Sequence, residues 1–175
     1  MNMNLTEPPP KAAFTAETLP DHPLFNGLSE RYRHILAECS MRASFAPGEL
    51  VVETGEPANC FYLVISGRIA LERPGSNLSF RVQTIGEGDI LGWSWLFPPY
   101  YWHFNAIAEV PTEAIFFFGS KLRQECDRDH EFGYELFKRM SHFLIQRLQA
   151  TREKWIEAAQ LHAPRQGILA DYLII

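Results

Sequence analysis

Residues 92–104 read GWSWLFPPYYWHF, and they hold three of the four tryptophans in the chain, Trp93, Trp95 and Trp102, beside Phe97, Tyr100, Tyr101, His103 and Phe104. Side chains of these types do one of two things. They stack on flat or apolar ligands, with a nearby polar group such as His103 or Asn105 fixing the orientation, or they fill a core with ring surface. Other reactive types are spread thinly. The six histidines, His22, His34, His103, His130, His142 and His162, lack the close spacing to carboxylates that a metal centre needs. Cys39, Cys60 and Cys126 form neither a C-x-x-C pair nor a ligand cluster. With no Gly-x-Ser-x-Gly elbow and no Walker loop, the expectation is no catalytic residue, no metal and no enzymatic activity.

The chain that must position this stretch has 175 residues, 46% of them hydrophobic, enough for one domain with a real core. A net charge of -5 gives no field that would draw it to phosphate backbones, so DNA binding by this chain is not expected. The N-terminus has no apolar signal region, and no later run is apolar enough to span a bilayer. A cytoplasmic protein with reduced cysteines and no membrane association is expected.

Residues 1–20 are polar and carry Pro8, Pro9 and Pro10, which predicts a disordered tail. From Leu24 to Cys39, Leu28, Tyr32, Ile35 and Leu36 recur at helical spacing, with Ser29 placed as an N-cap. Between Phe45 and Phe118 short runs rich in Val, Ile, Phe and Tyr alternate with turn residues at Pro47-Gly48, Gly55, Ser66-Gly67, Pro74–Asn77 and Gly86–Asp89, the grammar of an antiparallel roll. In LSFRVQTI the alternation predicts Phe80 and Val82 inward and Arg81 outward. After Gly119 the helical period returns. Phe137, Met140, Leu144, Leu148, Thr151, Trp155 and Ala158 form a near-heptad seam that predicts a long helix pairing with a second copy, a homodimer. The fold class expected is mainly β with α. It is an antiparallel β-roll, a jelly-roll-like double-stranded β-helix over residues 21–128, flanked by a short N-terminal helix and a long dimerisation helix over 129–160, with a short segment at 161–175.

This order resembles the cyclic-nucleotide-binding domain of the catabolite activator (Crp/Fnr) superfamily of bacterial regulators. FAPGELVVETGEPANCFYLVISGRIALE is similar to the family's opening strands, with Gly48, Gly55 and Gly67 at its turns and Tyr62 before the Ser66-Gly67 turn. GEGDILG resembles the entry to its phosphate-binding cassette, with Gly88, Asp89 and Gly92 in place. The likeness runs from about Leu24 to Arg152. It implies a sensor or regulatory domain in which ligand occupancy moves the cassette against the long helix and so alters the dimer or a protein partner's surface. In the family a winged helix-turn-helix usually follows; the ending APRQGILADYLII resembles only its first helix, with Ile168, Leu169, Tyr172 and Leu173 at helical spacing.

In the family the cassette is a short helix. A Gly-Glu pair places a carboxylate on the ribose 2'-hydroxyl, the helix N-terminus offers N–H groups to the cyclic phosphate, and an Arg about ten residues on pairs with its charge. Here Gly92 is followed by Trp93, and the Arg position falls on Trp102 or His103. A charge-assisted hydrogen bond is worth about 1.5–3 kcal/mol, so losing the Arg weakens a cyclic nucleotide by about ten- to a few hundredfold. Three outcomes stay open. The aromatics fill the cavity, leaving a ligand-free dimeric interaction module. Alternatively, a remodelled pocket takes a small aromatic ligand through Gly92, Trp93, Ser94, Trp95, Trp102, His103, Phe104 and Asn105. In the third, cyclic AMP or cyclic GMP binds through a displaced cation from Arg68, Arg73 or Arg81. Haem would need His103 as its axial ligand. Pro98-Pro99 predicts that a cassette helix ends near Leu96 or Phe97 and that Tyr100–Phe104 runs extended, with Tyr101 and His103 on one face and Tyr100, Trp102 and Phe104 on the other.

Overall fold

The computed structural model describes residues 14–75 and 78–162. The first part of the expected tail and most of the C-terminal segment, including Ile168, Leu169, Tyr172 and Leu173, lie outside the described residues. The rest of the tail differs from the sequence expectation. Ala16 and Leu19 are buried, and Arg33 holds the Ala16 carbonyl with two hydrogen bonds of 3.2 and 2.7 Å. Two small apolar side chains among polar ones were too few to register as a packed element.

α1 (Glu30–Glu38) starts where the Ser29 hydroxyl accepts the Tyr32 amide at 3.3 Å, the N-cap that the sequence predicts. It begins later than the apolar spacing suggests, since Leu24 and Phe25 are fully buried in the turns before it. His22 lies in the same turns. Its Nδ1 accepts the Leu24 amide at 3.1 Å, which leaves Nε2 to donate to the Gly88 carbonyl at 2.9 Å, so the ring is neutral. Burial holds its pKa below the ordinary 6.5, partly offset by the Gly88 bond. A proton added on Nδ1 would set N–H against N–H. Because the unfolded chain takes up that proton first, stability is full above pH 6.5 and falls as pH drops from there toward the lowered folded pKa. Denaturant melts between pH 7.5 and 5 check this, and His22→Gln should flatten that part of the profile.

Among the described residues eight strands follow: β1 (Ser40–Phe45), β2 (Leu50–Val52), β3 (Cys60–Ser66), β4 (Ile69–Arg73), β5 (Phe80–Ile85), β6 (Ile90–Leu91), β7 (Asn105–Ala108) and β8 (Thr112–Phe118). They form two antiparallel four-stranded sheets, ordered β1-β8-β3-β6 and β2-β7-β4-β5. Alternation along β3 serves two cores. Tyr62 and Val64 join Val52, Ile69, Leu71, Ile85, Ala106 and Phe116 inside the roll, while Phe61 stacks on Phe117 at 4.5 Å and the Phe117 ring meets Phe25 at 6.1 Å. The β3–β4 turn needs glycine: Gly67 sits at φ +96, and a Cβ there would lie 2.6 Å from the Pro111 carbonyl oxygen.

Strand β5 corrects one expectation. Phe80 and Val82 are 64% and 53% exposed instead of inward. The register shifts between Leu71 and Glu72, pairing them with Gln83 and Arg81 and leaving Val82 without a partner. A bulge of this kind breaks the alternation that the sequence pattern relied on: Phe80 and Val82 are exposed together with Arg81, which alone of the three keeps its expected outward place.

α2 (Gly119–Arg128) and α3 (His130–His162) are separated at Asp129, whose carboxylate accepts the Phe132 amide at 3.0 Å and pairs with Arg31 at 2.8 Å. The chain divides into two compact units, residues 1–139 and 140–175. The first holds both sheets, α1, α2 and the opening turns of α3. In the second, α3 continues to His162 with Met140 buried, Leu144 partly buried, and Ile145, Leu148, Thr151 and Trp155 exposed. No helix among the described residues is long and apolar enough to cross a membrane.

Candidate functional site: the aromatic cassette

The cassette runs from the end of β6 to the start of β7. No cassette helix forms. The Leu96 amide closes a single turn on the Trp93 carbonyl at 3.0 Å, and Tyr100 closes another on Phe97 at 3.1 Å. A turn of this length offers no row of unpaired amides, so the N-terminal phosphate cradle that the resemblance implies is missing here. Pro98-Pro99, with a cis bond between them, occupies the place where helix would continue. Tyr100 stands at φ +58, a strained conformation for a bulky residue.

Beyond it Tyr101 and Trp102 run back along a neighbouring segment that clamps them, but the chain bends at His103 and Phe104 before β7, so the extended run expected over Tyr100–Phe104 forms only in part. Ala58 donates to the Tyr100 carbonyl at 2.7 Å, Trp102 donates to Glu56 at 2.9 Å, and Gly55 donates to Trp102 at 2.8 Å. This clamp decides which face turns inward. Trp102 is 7% exposed inside the roll with Tyr62, Leu91 and Ala106, whereas Tyr101 and His103 face solvent. An exposed His103 does not offer the enclosed axial position that haem would require.

Gly92 and Trp102 fit as a small–large pair. Gly92 lies at φ +105, and a Cβ there would meet Trp102 Cη2 and Cζ3 at 2.8 and 3.1 Å. Trp95 goes the other way. It is fully buried, stacked on Phe61 at 5.1 Å and 16°, and a Cβ on Gly119 would come within 3.0 Å of it. Its Nε1 has no hydrogen-bond partner among the described residues. Trp93, Ser94, Phe104 and Asn105 are partly buried, and the Asn105 side-chain oxygen accepts the Thr54 amide at 2.8 Å, so it is engaged in holding the backbone.

The expected replacement cations do not gather at the cassette. Arg81 and Arg68 both pair with Glu109, the latter at 2.9 Å, and both side chains are more than half exposed; Arg73 is exposed as well. The cation that does meet the cassette is one the sequence did not single out. Arg123 of α2 donates to the Trp95 carbonyl, lies 3.3 Å from Asn59 Oδ1, and holds its guanidinium 4.4 Å from the Tyr100 ring centre. Nothing in the SKLRQ run distinguishes it from an ordinary helix-surface arginine. As for metals, Glu17, Glu30 and His34 bring ligand atoms within 4.8 Å of one another, but all three are exposed, an arrangement ordinary for a solvated surface.

Comparison with known proteins agrees with this architecture. The family model described as the cyclic nucleotide-binding domain matches residues 42–129, half of the chain. A cyclic nucleotide-binding domain from Methylobacillus flagellatus superposes with a TM-score of 0.67 at 15% identity, over 83% of this chain and 79% of that one. The sensor domain of the transcriptional regulator DNR from Pseudomonas aeruginosa gives 0.58 at 24%, over 72% and 90%. The catabolite activator protein of Thermus thermophilus gives 0.60 at 23%, over 79% and 62%. At these identities the solved structures establish the shared fold. With half its length matched by the family model and its strands closed into the same roll before a long helix, the chain belongs to the cyclic nucleotide-binding domain family.

Proposed function

We propose that this chain is a non-catalytic regulatory domain that does not take a cyclic nucleotide inside the roll in the family's manner, and that it acts as a homodimer through α3 toward a protein partner. The observation that carries this reading is Trp102, whose ring packs against Gly92 among the interior side chains of the roll. Trp93 where the family has a carboxylate, and a turn where it has a helix, point the same way. Arg68 and Arg81 are held by Glu109, so recruiting either to a phosphate would break an existing ion pair. The exposed Ile145, Leu148 and Trp155 of α3 support dimerisation, since rings and branched chains of this size gain most from being covered.

Titration with cyclic AMP and cyclic GMP, followed by tryptophan fluorescence, tests the reading because Trp93, Trp95 and Trp102 all sit in the cassette. The expected result is no saturable change up to about 1 mM. A saturable change in the micromolar range would overturn it, by showing that the ring yields and another cation reaches the phosphate.

A further inference from the structure

The cassette has an outer side as well as an inner one, and on it, within the first unit, lies a cleft of about 710 Å³ lined by Leu96, Tyr100, Arg123, His130, Tyr134 and Phe137 among others. The volume is of small-molecule size. We infer that this cleft, outside the roll, binds a planar aromatic molecule carrying one anionic group, a carboxylate or a sulfonate.

Three observations converge on that chemistry. The walls are aromatic: in the single chain Tyr134 is 64% and Phe137 47% exposed, leaving ring surface that gains from being covered. The cation is built in. Arg123 is fixed by its bonds to Trp95 and Asn59 and by the Tyr100 ring, yet these bonds use two of a guanidinium's five N–H donors, and the remainder can meet an anion. The floor depends on a glycine. A Cβ on Gly133 would lie 3.1 Å from the Cys126 Cβ and 3.3 Å from its carbonyl oxygen, so a side chain at 133 would push α2 and α3 apart by a few tenths of an ångström. Tyr100, which supplies the ring against Arg123, does so from its positive φ, the kind of strain that persists where the surroundings over-determine it and that clusters at ligand sites. Asp127, exposed on the lining, disfavours a dianion and limits the ligand to a single negative charge.

The inference stands apart from the reading of the roll interior, since none of these residues belongs to the interior cluster. The probe is 8-anilinonaphthalene-1-sulfonate added to the full chain. Saturable, blue-shifted fluorescence at one probe per chain is expected, weakened by salt. Tyr134→Ala removes an exposed ring at no cost to the core, and it should raise the dissociation constant about three- to tenfold with an unchanged melting temperature. Arg123→Gln should weaken binding and remove the salt dependence. Phe80→Ser, which removes an equally exposed ring that does not line the cleft, should leave binding unchanged. Binding that is lost in Phe80→Ser, or that stays within about twofold of the parent in Tyr134→Ala, would overturn the inference.

Discussion

Replacing Trp102 by alanine should destabilise the fold by about 3–5 kcal/mol, the range for removing a large ring from a packed interior. The ring is 7% exposed and lies against Gly92, so its loss leaves a void that the surrounding β-strands can close only partly. A denaturant melt reads the effect directly, as a lower midpoint at unchanged slope. Two further readouts give the experiment its discrimination. Indole added to the variant should restore part of the lost stability, because an apolar cavity in a rigid frame takes up an apolar guest of its own shape. Trp102→Phe should recover more than half of the loss. A loss below about 1 kcal/mol for Trp102→Ala, in the range of an exposed surface change, would mean that the ring lines an open pocket, and the proposal of a filled roll would fall with it.

The double substitution Leu148→Glu with Trp155→Glu should turn the protein into a monomer in sedimentation at tens of micromolar, where the parent should sediment as a dimer if α3 pairs as proposed. These side chains are 51% and 64% exposed on α3, and an isologous pairing buries each of them twice. Burying one large apolar side chain is worth about 1.5–3 kcal/mol, so the four copies together control several powers of ten in the dimer dissociation constant. Four carboxylates forced into the seam add repulsion. Both residues lie in the second unit, beyond Met140, so the roll should melt as before. A parent chain that sediments as a monomer, or a double variant that stays dimeric, would exclude α3 as the pairing surface.

Much of the fold was legible because short-range rules governed it. Ser29 had the right side chain for its cap, and the glycines at 48, 55, 67, 88 and 92 all stand at positive φ, where no other residue is comfortable. The period of α3 was equally plain. The failures share a cause, which is that something distant in sequence set the outcome. Alternation in β5 fails at a register shift defined by its pairing with β4. The choice of inward face for Tyr100–Phe104 was open because residues 55–58, more than forty positions earlier, make the clamp. The cassette was expected to keep a helix, and Pro98-Pro99 and the burial of Trp95 against Phe61 left room for only a turn. Arg123 and Tyr100 meet across a helix and a loop, a proximity that no local spacing encodes.

Two of the three tryptophans of the cassette enter cores on opposite faces of β3, Trp102 beside Tyr62 and Trp95 beside Phe61. A segment pinned in this way resembles a rivet through a plate more than a hinged flap. A swing that eased one ring outward would drive the other deeper into an interior with no slack, so the turn has no soft direction of travel. Gradual displacement is therefore closed to it, and its cost of movement is that of unfolding the wall it belongs to. What lies outside both cores is the outward rim at Phe97 and Tyr101, each 47% exposed, and under the proposed regulatory role that rim is where the cassette meets a partner or ligand first.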